Sequence, residues 1–134
     1  MPFPVDGRWI EATQRKLGVV FPASFAIAMS KANGGAVDSD IDTWELFPFY
    51  DQNDKKRIQR TCNSICRETK SAREGWYGFP ETAVAIGKNG GGDLLVLLPE
   101  PTDSTALRHS VYWWDHETGE TYKLADDFAD LSKD

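Results

Sequence analysis

The sequence predicts an α+β fold: a mostly antiparallel (mixed) sheet of about five or six strands with flanking helices. Three observations predict it. Helix-periodic stretches come first, then one strand, one longer helical stretch and a run of short strands, which is not the alternation of a parallel βαβ sheet. The short strands are separated by Asn/Gly- and Glu/Gly-containing turns. The chain has 134 residues, 40% hydrophobic and 12% aromatic. That suits a single domain spanning residues 1–134 with one core and no need of disulfide or metal support.

The first helix places Trp9, Ile10, Thr13 and Leu17 on one stripe, with Asp6 as N-cap and Gly18 as its stop. Phe21-Pro22 opens a second helix, in which Phe25, Ala28, Met29 and Ala32 recur at i, i+3, i+4 and i+7, and Asn33-Gly34-Gly35 ends it. An acidic stretch, Asp38-Ser39-Asp40-Ile41-Asp42, leads into a strand over 43–47 that Pro48 stops. Residues 54–74 read as the longest helix, with Ile58, Cys62, Ile65, Cys66 and Thr69 on its apolar stripe. The segment 75–80 reads as a loop. Strands are expected over 83–88, 94–98, 110–115 and 121–124, with a Gly-containing turn over 117–120 and a short final helix over 125–131 that turns Phe128 and Leu131 inward. Pro99 to Ser104 reads as an exposed loop.

Several function classes are set aside by composition and motif. No apolar run approaches the ~18 residues of a membrane span, and the N-terminus lacks the basic and apolar regions of a secretory signal. A cytoplasmic location is expected. Two cysteines do not make a disulfide framework. The net charge of −6 argues against a general nucleic-acid binder. No nucleophile-elbow, zinc-helix, Walker or dinucleotide motif is present, and no cofactor is expected.

Three local constellations remain. Asn89-Gly90-Gly91-Gly92-Asp93 lies between two strands, so it reads as a hairpin turn; a phosphate loop would precede a helix. Asp115-His116-Glu117 is the one place where a histidine sits among carboxylates. Strand alternation would put Asp115 and Glu117 on one face and His116 on the other, so a satisfied turn is favoured over a metal or acid–base site. Cys62 and Cys66, at i and i+4, read as small core hydrophobes, because no second pair completes a zinc set.

Charge is distributed unevenly. Residues 54–74 hold seven basic and three acidic side chains, net +4, which leaves −10 for the rest of the chain. Residues 38–51 carry Asp38, Asp40, Asp42, Glu45 and Asp51 with no base. Such a surface suits a basic protein partner, since matched fields speed and orient encounter. Trp113 and Trp114 adjoin on one strand and so face opposite ways. Both are buried only if both sheet faces are covered; an exposed one is an interface anchor.

The order and spacing of these residues resemble the SUKH superfamily, which includes the fungal SMI/KNR-type cell-wall regulators and many bacterial proteins. The resemblance runs from Ile10-Glu11, Leu17-Gly18, Phe21-Pro22, Phe25 and Asn33-Gly34-Gly35 through Trp44 to Phe47. It continues with Phe79-Pro80, Ile86-Gly87, Gly91-Gly92-Asp93 and Leu95, and ends with Val111-Tyr112, Trp114-Asp115-His116-Glu117, Leu124-Ala125 and Phe128. It implies helices packed around a mostly antiparallel sheet. It also implies a non-catalytic immunity protein that binds and blocks a cognate toxin domain, often a nuclease. The shared residues have structural character, and no catalytic or toxin-contact residue is carried over. A regulatory interaction module unrelated to toxins, as in the fungal relatives, is the alternative; a small metal-dependent enzyme using Asp115, His116 and Glu117 is a further one. The contact set expected from charge is Asp38, Asp40, Asp42, Glu45 and Asp51.

Overall fold

The computed structural model describes residues 2–133. The Asp6 carboxylate accepts from the Arg8 amide (3.0 Å) and starts α1 (Gly7–Leu17), which Gly18 closes with φ 69°. Ile10 and Thr13 face inward. Pro22 precedes α2 (Ala23–Lys31), which buries Phe25 and Met29. Beyond it, buried Asn33 donates to the Phe49 carbonyl (2.9 Å) and accepts from the Phe49 amide (2.8 Å), so one side chain replaces a strand partner for that backbone.

Seven strands form the main sheet: β1 (Ala36–Asp38), β2 (Thr43–Leu46), β3 (Val84–Lys88), β4 (Leu94–Leu97), β7 (Val111–Trp114), β8 (Thr121–Ala125) and β9 (Ser132–Lys133). Their order is β8-β7-β4-β3-β2-β1-β9 and every pairing is antiparallel. The α+β architecture is as expected, with more strands: β1 precedes the acidic stretch and shares only Asp38 with it, and β9 is a C-terminal pair of residues docked on β1. Strands β5 (Pro99–Glu100) and β6 (Asp103–Leu107) make a separate hairpin. The expected exposed loop after Pro99 is therefore ordered by pairing, and Ala106 also bridges to Val20.

The expected helix over 54–74 is two helices, α3 (Lys55–Arg60) and α4 (Ile65–Gly75). The reason is local. Thr61 Oγ1 donates to the Arg57 carbonyl and accepts the Asp51 amide (2.9 Å), while Ser64 caps a fresh helix by accepting from the Arg67 amide, and the Ile65 amide donates to Pro48. Phe3 fastens the N-terminal segment onto α3, with Arg57 and Arg60 lying 4.5 and 4.4 Å from its ring centroid. The expected helix over 125–131 is only a 3-10 turn (Phe128–Asp130), because Ala125 pairs with Val111 in the sheet and the Asp127 carboxylate then caps the short turn by accepting from the Ala129 amide.

Helix α4 packs on β3. Where the β3–β4 register shifts between Ala85 and Gly87, the Ala85 amide donates to Thr69 Oγ1 of α4 (2.9 Å). All of β4 is buried, as its unbroken apolar run predicts. Phe21, Phe25, Phe49 and Phe128 form an aromatic knot with ring centroids 4.9–5.9 Å apart.

Candidate functional site

Antiparallel register decides which residues meet at one end of the sheet. Glu45 lies opposite Lys88, Lys88 opposite Leu94, Leu94 opposite Trp114, and Trp114 opposite Thr121. The turns over 39–42, 89–93 and 115–120 therefore share an end. They contain no Lys or Arg and carry Asp40, Asp42, Asp93, Asp115, Glu117 and Glu120, with Asp38 just inside β1. Asn89 joins two of the turns: its amide donates to Asp42 (3.0 Å), and its carbonyl oxygen accepts from Gly91 and Asp93.

The five acids expected to make contacts separate into two groups. Asp38 accepts from the Thr43 hydroxyl (2.6 Å) and Asp42 from the Thr43 amide (2.8 Å), which orders the β1–β2 turn; Asp40 is exposed at its tip. Glu45 is exposed, 4.0 Å from Lys88. Asp51 is a correction. It is 2% exposed, 3.5 Å from the Arg57 guanidinium, and accepts the Asn53 amide, so it belongs to the interior. Asp126 and Asp130, which belong to the acid-rich stretch 115–134 but not to the expected contact set, complete a cleft with Asp38 and Asp40. Their approach comes from the return of the chain after β8, which no local pattern signals.

Asp115, His116 and Glu117 do not converge as a set. The partner of His116 is Asp93, whose Oδ1 lies 2.5 Å from the ring Nδ1 and also accepts the His116 amide (3.1 Å); its Oδ2 accepts Trp113 Nε1 (2.9 Å). Polar atoms of Asp93, Asp115 and His116 lie within 4.8 Å of one another, whereas Glu117 is exposed. Burial pushes the Asp93 carboxyl up, but the hydrogen bonds from His116 and Trp113 outweigh it and hold it below the ordinary value. The Asp93 hydrogen bond raises His116, with help from Glu117 and Asp115. Gly92, at φ 97°, lets the turn lie on the ring; a Cβ there would sit 3.3 Å from His116 Cε1. Both Asp93 oxygens and the His116 Nδ1 are thus engaged with protein. The arrangement works as a clamp between the 89–93 and 115–120 turns. Sequence reasoning missed Asp93 because its approach to His116 depends on the β4–β7 register; its place immediately before a buried strand was the available signal.

The paired tryptophans do face opposite ways. Trp114 is fully buried against Trp76 (5.7 Å) and Phe79 (5.2 Å), and Trp113 is half-buried on Tyr122 (5.0 Å). Trp76 also contacts the His116 ring (5.4 Å) and stays partly exposed, and its neighbour Tyr77 is 98% exposed. An aromatic rim therefore borders the acidic turns. The cysteines depart from expectation: Cys62 is exposed and Cys66 half-buried, because the break between α3 and α4 turns Cys62 out of the stripe. The Gly-rich segment is a turn between β3 and β4, as expected.

Among the described residues, no helix is long and apolar enough to cross a membrane. Neither a curated protein nor a solved structure matches the chain. The sequence pattern of the SMI1 / KNR4 family (SUKH-1) matches residues 4–134, taking in all three acidic turns, the clamp and every strand of the sheet. With nearly its whole length so matched, the chain belongs to the SMI1 / KNR4 (SUKH-1) family.

Proposed function

We propose that this protein is a non-catalytic binding domain that neutralises a toxin by stoichiometric association, acting in the cytoplasm on a basic toxin domain such as a nuclease. The observation that carries the reading is the gathering of Asp40, Asp42, Asp115, Glu117 and Glu120 at one end of the sheet, in turns without Lys or Arg, with Asp38 beside them at the end of β1. A basic surface docking there meets a matched field, which raises the rate and selectivity of encounter. The exposed Trp76, Tyr77 and Tyr122 beside the acids supply the aromatic anchors on which interface affinity concentrates. Family membership supports a role of this kind.

The test is to ask whether a neighbouring gene encodes a toxin domain and to measure binding to it with Asp40→Lys/Glu117→Lys. Both side chains are exposed and neither supports a turn, so the fold is left intact. The association rate at low salt is expected to fall ~10-fold or more, with a flatter salt dependence. Unchanged affinity and salt dependence would remove the acidic end from the interface.

A further inference from the structure

The basic run between 54 and 74 takes no part in the acidic end, and the break within it opens a cavity. This cavity lies between α1 and α4 and has a volume of about 430 Å³, within the range of small-ligand sites. Three cations line it, Lys16 from α1 and Arg67 and Lys70 from α4, and no carboxylate does. In a chain of net charge −6, composition does not account for that. None of the three charged side chains makes an ion pair or hydrogen bond with another described residue. The carboxylate nearest in sequence to the lining residues Tyr50 and Gln52, Asp51, is turned away to Arg57. Arg67 and Lys70 stand at i and i+3, so both cations rise from one face of α4.

Neutral groups on the wall complete the chemistry. Thr13 is 4% exposed, and its hydroxyl has no bond to another described residue. Ser64 Oγ accepts the Arg67 amide, which leaves its own proton free to donate. The Tyr50 ring and the Cys62 and Cys66 thiols give the cavity an apolar side.

We propose that this cavity binds a phosphate monoester with an aromatic body, its phosphate held by Arg67, Lys70 and Lys16 and its ring resting on Tyr50 and the two thiols. A guanidinium donates to two phosphate oxygens at once, and the ammonium groups add point charge. The dianion matches the number of cations better than a carboxylate does. The site is separate from the acidic turns and independent of toxin binding.

Calorimetric titration with phenyl phosphate, benzoate and phenol tests the assignment. Phenyl phosphate is expected to bind saturably at about 1 mM or tighter, benzoate ~10-fold more weakly or worse, and phenol without saturation. Arg67→Glu/Lys70→Glu is expected to weaken phenyl phosphate ~100-fold, while Lys31→Glu/Lys55→Glu, the same change of charge outside the cavity, leaves it unchanged. In the unmutated protein, phenyl phosphate is expected to slow alkylation of Cys62 by iodoacetamide in step with occupancy. Absence of saturable binding, equal weakening in the two double variants, benzoate binding as tightly as the phosphate, or an unaltered alkylation rate each overturns the assignment.

Discussion

His116 ties two turns through one carboxylate, and its charge decides how firmly. Its pKa is raised above the ordinary 6.5 by the Asp93 hydrogen bond. A raised basic group contributes stability that is complete below its unfolded value and lost as pH rises through the folded one. Asp93 is held below its ordinary 3.8, so its contribution is present above that value and lost as pH falls through the lower folded one. The clamp is therefore strongest between the two ordinary values. In thermal unfolding from about pH 4.5 to about pH 9, the advantage of the unmutated protein over His116→Gln is expected to shrink as pH rises past the His116 value. An advantage that stays constant with pH would show that the imidazolium charge contributes nothing.

Among the glycines, the closest approach between elements is at Gly87, where β3 meets β2. A Cβ built on Gly87 would lie 2.8 Å from the Glu45 carbonyl oxygen, a backbone atom that cannot rotate away. Gly87→Ala is expected to cost about 1–3 kcal/mol, read as a lower urea midpoint with an unchanged m value. The helices that the sequence made legible carry their own punctuation: Asp6 and Gly18 bound α1, and Pro22 starts α2. The α3–α4 break was hidden because Ile58, Cys62, Ile65, Cys66 and Thr69 keep helical spacing across it. What competes is partly tertiary, since Pro48 and Asp51 reach into the gap. Strands β1 and β9, of three and two residues, are too short to show any period. The same limit applies to the candidate site. Acid density marked Asp38, Asp40 and Asp42, which lie in or beside the β1–β2 turn, while Asp51 and Asp93 took their roles from partners distant in sequence or set by register.

Across the whole molecule, burial grades from the middle of the sheet outward. Strands β3 and β4 are almost wholly enclosed, whereas β5, β8 and β9 contain no fully buried residue. Amide hydrogen exchange is expected to be slowest in β3 and β4 and faster by orders of magnitude in the β5–β6 hairpin and β9; uniform protection over all strands would contradict this grading. Charge is graded too: the turns at one end are acidic, and the α1–α4 cavity is basic. The two ends of the described chain add a geometric point. Pro2 and Lys133 both reach Gly35, where Lys133 donates to the Ala32 and Gly34 carbonyls (2.8 and 3.0 Å). Gly35 leads into β1 at the edge opposite the three turns. The first and last described residues are thus tied together through one glycine, so that the sheet edge made by β1 and β9 is pinned to the N-terminal segment behind it.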